Sequence, residues 1–169
     1  MVDIEADGPI PGEYSMVSLG AVIVEPSLSK TFYGTLKPIS DRFVPSALKV
    51  SGFTREETLL FLDAKKTMFN FNEWIESNSV DSPRFISDNN GFDWMFTHWY
   101  FIHFFGKDPF GHSSTNLGSL YKGCVRDFRK NFKHLRDTKH NHSAISDAIG
   151  NAEALIKINN KFNLNLIFE

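Results

Sequence analysis

The hydrophobic pattern of this chain changes period once, from about two residues in its first third to about 3.6 residues beyond residue 54. Residues 2–6 alternate apolar and acidic side chains, and two β-rich runs, residues 15–24 and 30–36, follow as a hairpin around a Pro-Ser turn. The prolines and glycines of residues 8–12 separate the first strand from this hairpin. Three strands therefore open the fold, helices follow them, and the pattern indicates an α/β protein.

The second part of the chain carries the predicted helices. A capping-box pattern begins at Thr54. Further helices are predicted over residues 64–77, 92–105, 117–135 and 143–160, with short strands at residues 84–87 and near residues 112–116. Gly150, in the middle of the last helix, predicts close packing against the sheet. No linker or repeat divides the pattern, so residues 1–169 are predicted to form a single domain.

Composition limits where such a protein works. Of the 169 residues, 41% are hydrophobic, which is enough for a sizeable core. The single cysteine, Cys124, excludes an internal disulfide and a Cys-rich zinc site, and it favours a reducing compartment. The N-terminus has no signal-peptide pattern, and the longest apolar-rich stretch, residues 92–105, is too short to span a bilayer. We expect a cytoplasmic protein without a membrane partner.

Charge is distributed unevenly along the chain. The net charge is −2, but residues 122–139 hold seven Lys and Arg against two Asp, a net charge of +5. If residues 117–135 form one helix, its basic side chains share a face. These side chains are Lys122, Arg126, Arg129, Lys130 and Lys133. This face is a candidate track for phosphates, or else only a solvated helix surface.

Two carboxylates lie one residue apart on the first strand. Because side chains alternate along a strand, Asp3 and Glu5 project to the same side while Val2 and Ile4 point to the other. Hard divalent cations prefer carboxylate oxygen, and two adjacent negative groups need a cation, a proton or solvent to offset their repulsion. Asp3 and Glu5 thus form half of a candidate metal site.

Two further groups extend this candidate site. Asp93 follows the fourth strand at a strand-helix junction, where it can reach a ligand crevice or simply serve as an N-terminal helix charge; Asp88 competes with it. His142 and Asp147 open the last helix, where the carboxylate can bind metal and the histidine can accept a proton from water. A zinc pair formed by His140 and His142 is the less favoured alternative, since cysteine partners are lacking.

The order of these groups resembles the motifs of the DEDDh subgroup of the DEDD 3′–5′ exonucleases. The first motif is Asp3-Ile4-Glu5, the second is Asn89-Asn90-Gly91-Phe92-Asp93, and the third is His142-Ser143-Ala144-Ile145-Ser146-Asp147. The segment 50–56 also looks like the stretch between hairpin and helix in that family. The related tyrosine subgroup would place Tyr where this chain has Ser143.

The resemblance implies an RNase H-like α/β fold, with a central five-stranded mixed sheet, an antiparallel N-terminal hairpin and flanking helices. It also implies hydrolysis of phosphodiester bonds at the 3′ end of single-stranded DNA or RNA, with release of nucleoside 5′-monophosphates. Two Mg²⁺ or Mn²⁺ ions would be held by Asp3, Glu5, Asp93 and Asp147, and His142 would be the general base.

Substrate contacts are predicted in three groups. Ala6, Asp7 and Gly8 follow the metal pair and can meet the terminal nucleotide through their backbone. Phe53, Phe92 and Trp94 are candidates for stacking on a base. Arg126, Arg129, Lys130 and Lys133 are candidates for contacts with phosphates.

Two other functions remain open at the level of sequence. One is a phosphodiesterase acting on dinucleotides or short oligonucleotides, and the other is a nucleic-acid-binding module that keeps the fold without catalysis. The expected partner is a single-stranded nucleic acid with a free 3′ end, and a homodimer is compatible with the sequence.

Overall fold

The alternation of residues 2–6 produces a first strand with two different faces. In the computed structural model, which describes residues 1–166, strand β1 (Val2–Ala6) buries its apolar side chains on one face and leaves Asp3 and Glu5 partly exposed on the other. Strand β2 (Met16–Val22) is buried along its whole length because helices cover both of its faces.

The remaining elements follow in the predicted order. The other strands are β3 (Thr31–Thr35), β4 (Phe85–Ser87) and β5 (Ser114–Asn116). The helices are α1 (Pro45–Val50), α2 (Arg55–Leu59), α3 (Ala64–Asn78), α4 (Asn90–Phe105), α5 (Leu117–Val125) and α6 (Ala144–Phe162). The capping box predicted at Thr54 is formed with Glu57 and begins α2. Helix α1 was not predicted.

The strands form two small sheets rather than the predicted single sheet. Strands β1, β2 and β3 pair antiparallel in that order, and β4 pairs in parallel with β5. Strand β4 contacts β1, but no ladder joins the two sheets within residues 1–166. Because β4 has only three residues, a small displacement is enough to remove all of its ladder bonds on that side. The α/β class and the antiparallel hairpin are confirmed.

Helices pack on both faces of the sheet. On one face, Val2, Ile4 and Leu19 pack against side chains of α3 and α4, including Phe71 and Phe96. The opposite face packs against α5 and α6, and its core includes Val22, Leu117, Tyr121, Leu155 and Ile158. Asp3 and Glu5 face this second helical layer, which therefore supplies the other side of the candidate site.

The helix predicted over residues 117–135 is wrong beyond Val125. Helix α5 ends there, Arg126 is left-handed at φ 55°, and a short 3₁₀ helix follows at Lys133–Leu135. The Asp127 side chain accepts a hydrogen bond from the Arg129 backbone N–H, so it competes with helical hydrogen bonding. The basic side chains of this segment therefore do not share a helix face.

The packing predicted for Gly150 is also corrected. A Cβ at Gly150 would lie 2.9 Å from the carbonyl oxygen of Thr138, so the close approach is to the segment before α6 and not to the sheet. None of the helices found in residues 1–166 has both the length and the apolar character needed to cross a membrane. The single domain predicted for residues 1–169 includes residues 167–169, which lie outside the described residues.

Candidate active site

Three carboxylates converge where β1 meets the beginning of α6. Oxygen atoms of Asp3, Glu5 and Asp147 all lie within 4.8 Å of one another. Asp3 and Glu5 reach this point because β1 alternates its side chains, and the ladder shifts register directly after Glu5, as in a β-bulge. Strand β1 thus contributes two of the three carboxylates and helix α6 contributes the third.

Gly20 allows α6 to come this close to the sheet. It pairs with Asp3 in the β1–β2 ladder, and a Cβ at its position would lie 2.3 Å from the backbone of Ala144 and Ile145. With Ser143 as N-cap, the Asp147 N–H donates to the Ser143 carbonyl at 2.9 Å, which places Asp147 in the first turn of α6. The close approach of α6 to Gly20 therefore brings Asp147 to β1.

Asp147 is buried, and neither of its carboxylate oxygens accepts a hydrogen bond of good geometry within the described chain. Its exposed fraction is 1%, and its nearest charged neighbours both approach Oδ1, His140 Nδ1 at 2.7 Å and Arg136 Nη1 at 3.8 Å. Because such atoms are costly unless another group compensates them, the geometry fits a cation bound between the three carboxylates. An all-oxygen donor set suits a hard divalent cation.

Asp93 adjoins this triad from the first turn of α4. It is 2% exposed, and its Oδ2 atom also has no hydrogen-bond partner in residues 1–166. The competing candidate Asp88 differs from it, because Asp88 Oδ2 accepts a hydrogen bond from Arg136 Nη2 at 3.3 Å. Among the described residues, Asp88 therefore has a cationic partner and Asp93 has none.

Burial raises the pKa values of Asp3, Glu5 and Asp93, and repulsion from neighbouring carboxylates adds to each rise. Burial raises the pKa of Asp3 well above its usual range, and the charges of Asp93, Asp147 and Glu5 add to the rise. Burial and the charges of Asp147 and Asp93 raise the pKa of Glu5 to about 8. Burial likewise raises the pKa of Asp93 to about 7. Without a cation, the cluster holds protons that it would release when a metal binds.

Two histidines lie beside the carboxylates. His142 Nδ1 is 3.8 Å from Glu5 Oε1, and its side chain is 49% exposed to solvent. His142 also has a left-handed backbone at φ 58°, an uncommon conformation for a residue other than glycine and one often found at functional sites. The structure thus brings His142 to the acidic cluster with one ring edge open to water.

His140 is a neighbour of the site that the sequence analysis assigned only to a zinc pair. Its Nδ1 atom lies 2.7 Å from Asp147 Oδ1, and its ring centroid is 4.2 Å from that of His142. The signal available in the sequence was its position two residues before His142. The contact of His140 is with a carboxylate of the triad, and it does not require zinc.

Arg136 is a second neighbour that the sequence did not single out. The side chain is 5% exposed, its Nη2 donates to Asn151 Oδ1 as well as to Asp88, and its Nη1 lies 3.8 Å from Asp147 Oδ1. It therefore places a buried positive charge next to the acidic cluster. An arginine at the end of a basic segment carries no pattern that separates it from its exposed neighbours.

Both backbone polar groups of Asp7 have partners within the fold, and a backbone contact with the substrate stays a prediction for this residue. Its backbone N–H donates to Ser15 O at 2.8 Å, and its carbonyl oxygen accepts from Val44 N–H at 2.7 Å. Its side chain is fully buried, accepts from Ser15 N–H and forms a salt bridge with Arg55 at 3.0 Å. Asp7 therefore joins β1 to neighbouring segments of the fold.

The residues on either side of Asp7 are also enclosed. Ala6 packs in the core beneath the sheet, and Gly8 is buried under the ring of Tyr14, where a Cβ would lie 2.0 Å from a ring carbon. The turn after β1 is thus shaped by close packing, and glycine is needed at residue 8 for that reason.

The aromatic candidates are half-buried and pack against other rings. Phe53 lies edge-on to Phe61 with centroids 5.0 Å apart, and Phe92 packs against Phe96 at 4.9 Å. Trp94 stacks on the ring of His98 at 5.0 Å. These contacts give each ring a structural role, and stacking on a base stays a prediction for all three.

The four basic candidates are exposed to solvent. Arg129 pairs with Asp127 at 3.2 Å, and Lys133 Nζ lies 4.0 Å from Asp88 Oδ2. Arg126 and Lys130 are exposed beside them. The structure therefore presents these cations on an irregular loop that leads from α5 back toward the acidic cluster.

Comparison with known proteins gives a consistent picture. No family model matches the chain. The chain is 42% identical over 126 residues to the 3′–5′ DNA exonuclease Cap18 of Escherichia coli. This match covers 72% of the chain and 66% of Cap18, so the chain spans slightly less than two thirds of that relative's length.

Solved structures share the fold at low sequence identity. The nuclease domain of 3′hExo, a DEDDh family member bound to rAMP, has a TM-score of 0.74 at 12% identity, covering 95% of this chain and 90% of that one. Exonuclease I of E. coli in complex with a dA16 oligonucleotide has a TM-score of 0.73 at 19% identity, covering 95% of this chain and 40% of that one. These neighbours confirm the RNase H-like fold, and the chain is thus similar in sequence to a 3′–5′ DNA exonuclease and in structure to a DEDDh family member.

Proposed function

We propose that this protein is a metal-dependent 3′–5′ exonuclease that removes nucleoside 5′-monophosphates from single-stranded DNA. The observation that carries the proposal is the convergence of Asp3, Glu5 and Asp147, whose oxygens lie within 4.8 Å of one another. The Oδ2 atoms of Asp147 and Asp93 support it, because they are buried without a hydrogen bond from the described residues and such oxygens are suited to cations.

Mg²⁺ or Mn²⁺ would be held by the three convergent carboxylates, and Asp93 would complete a second site directly or through water. Bound there, two such ions would lower the pKa of the attacking water and offset negative charge on the leaving oxygen. The carboxylates alone would repel the phosphate of the substrate, so the side chains of this cluster can serve the reaction only when their charge is offset.

His142 would act as the general base. Its Nδ1 atom faces Glu5, so Nε2 is the atom that can take a proton from water. The water oxygen would form a bond to phosphorus, the bond from phosphorus to the 3′ oxygen of the preceding nucleotide would break, and that oxygen would take a proton from solvent. His140, which faces Asp147, would orient this carboxylate and not accept the proton.

The two histidines can be separated by mutation. His142→Ala should lower kcat by about 10²- to 10⁴-fold, the usual range for loss of a general base. His140→Ala should have a smaller effect on kcat and should mainly raise the metal concentration needed for half-maximal rate. Initial rates over a series of Mg²⁺ concentrations measure both quantities, and a larger loss of kcat in His140→Ala would reverse the assignment.

DNA is proposed as the substrate because the relative Cap18 is a DNA exonuclease. A single strand is supported by exonuclease I, whose structure with an oligodeoxynucleotide has the same fold. The test is a time course with DNA and RNA oligomers and a dinucleotide, each labelled at the 5′ end, with Mg²⁺, with Mn²⁺ and with EDTA. The proposal expects stepwise shortening of the DNA oligomer from its 3′ end, which stops in EDTA.

Matched variants make this test specific to the site. Asp3→Asn and Asp147→Asn should each lower the rate by about 100-fold or more, since each removes a ligand charge from the cluster. Asp137→Asn is the control, because Asp137 is exposed and pairs with Lys157 outside the site. An Asp3→Asn variant as active as the parent would reject the proposal, and preferential cleavage of the dinucleotide would favour a phosphodiesterase for short substrates.

A further inference from the structure

We propose that the loop Arg126–Lys133, called the basic loop below, is a second contact site for the DNA strand, where Phe128 stacks on a base upstream of the 3′ end. This inference rests on the proposed function and adds to it a site away from the carboxylates. A continuous helix over residues 117–135 would place Phe128 on its apolar face, whereas the structure places Phe128 outside the core.

Phe128 is exposed in an unusual way. Its exposed fraction is 87%, far above that of two other exposed phenylalanines, Phe43 at 39% and Phe69 at 42%. Burying a phenylalanine side chain stabilises a fold, so a protein gives up stability when it leaves this ring in water. A ring held out in this way is suited to a ligand that covers it.

The backbone around Phe128 holds the ring outward. Helix α5 ends at Val125 with Arg126 in a left-handed conformation, and Asp127 fixes the next turn by accepting from the Arg129 backbone N–H at 2.9 Å. Phe132, four residues further on, is buried, and the Arg136 guanidinium lies over its ring. The basic loop is therefore anchored at both ends while Phe128 projects between them.

The charges around the ring fit a phosphodiester strand. The exposed cations of the loop are Arg126, Arg129, Lys130 and Lys133, and the loop contains one acid, Asp127. An aromatic ring for bases interleaved with cations for phosphates is the combination by which proteins bind single strands without reading their sequence. The remainder of the chain is acidic, so the loop stands out as the place where a polyanion is attracted.

The basic loop is also connected to the candidate active site. At its C-terminal end, Lys133 Nζ lies 4.0 Å from Asp88 Oδ2, and the same carboxylate binds Arg136. Arg136 in turn lies 3.8 Å from Asp147. A strand whose 3′ end lies at the carboxylates can therefore continue along the loop, which would hold it between successive cleavage steps.

A single-stranded nucleic acid fits this surface better than a protein does. A stable protein interface needs roughly 1,000 Å² of buried area with a largely apolar centre, whereas the loop offers one isolated ring among four cations. Stacking on a nucleobase needs only the two faces of the ring. The proposal therefore commits to single-stranded DNA.

The test measures DNA binding in EDTA, so that it does not depend on catalysis. The probe is a 20-nucleotide dT oligomer with a 5′ fluorophore, read by fluorescence anisotropy. Phe128→Ala should raise the Kd by about 5- to 150-fold, the range found when a stacking ring is removed. Phe128→Tyr, which keeps the ring, should bind within about threefold of the parent, given that every aromatic face can stack.

Two controls separate stacking from general damage. Phe69→Ala removes an exposed ring that lies beside a lysine on α3, in the helical layer on the other side of the sheet, and it should leave the Kd unchanged. An oligomer of abasic nucleotides keeps the phosphates but has no bases, so the penalty of Phe128→Ala should largely disappear on it. Thermal melting of each variant verifies that the exposed substitutions leave the fold intact.

The outcomes are distinct from those of the proposed function. The stacking site would be overturned if Phe128→Ala bound the dT oligomer with the Kd of the parent, or if Phe69→Ala raised the Kd as much as Phe128→Ala. The basic loop would then be a candidate contact for a protein or a membrane surface instead. The same loss on the abasic and the dT oligomers would overturn the stacking site as well. Absence of hydrolysis by the parent would reject the exonuclease while this binding result could still stand.

Discussion

Gly20 shows how a single residue can determine the geometry of this site. Its missing side chain makes room for the backbone at the start of α6, because a Cβ there would lie 2.3 Å from Ala144 and Ile145. Neither element can move freely, since β2 is buried on both faces and α6 packs along it. The distance between Asp147 and the β1 carboxylates thus depends on a residue that makes no chemical contribution.

Gly20→Ala should therefore lower both stability and activity. Relieving the clash requires α6 to move away from β2, and overpacking of this kind costs about 1–3 kcal/mol. The loss of kcat at saturating Mg²⁺ should exceed what the unfolded fraction explains, because Asp147 moves with the helix. Urea denaturation and initial rates on the same samples give the two values.

Gly123→Ala is the control for Gly20→Ala. Gly123 lies in α5, a Cβ there meets nothing within 4 Å, and its backbone is helical. Alanine at this position should be neutral or slightly stabilising. If Gly20→Ala behaved like Gly123→Ala, the close approach of α6 would not matter for the position of Asp147.

Glu5 connects the acidic cluster to the pH dependence of stability. Burial and the charges of Asp147 and Asp93 raise its pKa from 4.5 to about 8 in the folded chain. The folded state therefore binds the proton more tightly than the unfolded state, and the contribution of Glu5 to stability falls as the pH rises from about 4.5 to about 8. Metal binding should offset this loss most strongly at the upper end of the range.

Glu5→Gln should consequently be more stable than the parent in EDTA at pH 8, by about 1–3 kcal/mol, and the difference should shrink towards pH 5. Mg²⁺ should stabilise the parent more than the variant. Urea denaturation at several pH values with and without Mg²⁺ tests this. Glu76→Gln, a change of an exposed residue on α3, serves as the control, and a difference between Glu5→Gln and the parent that stays constant with pH would contradict the prediction.

Single residues also show which features of the site can be predicted from the sequence and which cannot. The periodicity of β1 is sufficient to predict that Asp3 and Glu5 share a face, because alternation is a local property. The roles of Asp7 and Arg136 depend on partners 48 and 11 residues away, Arg55 and Asp147. No local pattern encodes such a pairing, so both residues could be placed only from the structure.

At the scale of elements, the salt bridge between Asp7 and Arg55 ties β1 to α2. Arg55 Nη1 donates to Asp7 Oδ2 at 3.0 Å, Nη2 donates to Ser40 O at 2.6 Å, and the guanidinium lies over the ring of Phe43. Burial raises the pKa of Asp7, while the Ser15 N–H and Arg55 oppose the rise. The pair therefore holds the loop before α1, α2 and the end of β1 in one arrangement.

Arg55→Met should destabilise the protein by about 3–5 kcal/mol, because it leaves the Asp7 carboxylate buried without its cation. The double variant with Asp7→Asn should recover part of this loss, since no charge is then left unpaired. Urea denaturation at pH 7 measures all the values. The control is Arg42→Met, whose salt bridge with Glu13 is exposed and should be worth less than about 1 kcal/mol.

An Arg55→Met variant no less stable than Arg42→Met would show that the buried pair does not hold β1 to α2. Asp7→Asn keeps the backbone N–H and carbonyl of this residue, so a backbone contact with the substrate would survive the substitution. The structure therefore predicts that Asp7→Asn changes stability and leaves KM close to that of the parent.

The helices and strands could be predicted from the sequence where the hydrophobic period continued without interruption. The three N-terminal strands, the helix around residues 92–105 and the last helix occur close to their predicted positions. The helix over residues 117–135 failed because its apolar spacing included Phe128, which the fold leaves in water. Periodicity cannot distinguish a ring that packs from a ring with the same spacing that projects outward, and Asp127 ends the helix through its side chain.

At the scale of the whole molecule, a metal site and a site for a polyanion place opposite requirements on the distribution of charge. The carboxylates must lie together to hold metal, and the chain as a whole carries a net charge of −2, which opposes the approach of a polyanion. The basic loop lies on the α5–α6 side of the sheet, the same side as Asp3 and Glu5. This arrangement would allow a protein with a small net negative charge to bind the proposed DNA substrate through one localised surface.

Binding of single-stranded DNA should accordingly depend on salt in proportion to the cations of that surface. For four phosphate contacts, the logarithm of the association constant should fall with a slope of roughly −3 against the logarithm of the salt concentration. Arg129→Gln combined with Lys130→Gln should reduce the magnitude of this slope by about 1.4. Lys65→Gln combined with Lys66→Gln removes another exposed pair of adjacent cations, from α3, and should leave the slope unchanged. Equal changes in both double variants would mean that DNA responds to the net charge of the molecule, and a change confined to the first would locate the polyanion on the side of the sheet where the carboxylates lie.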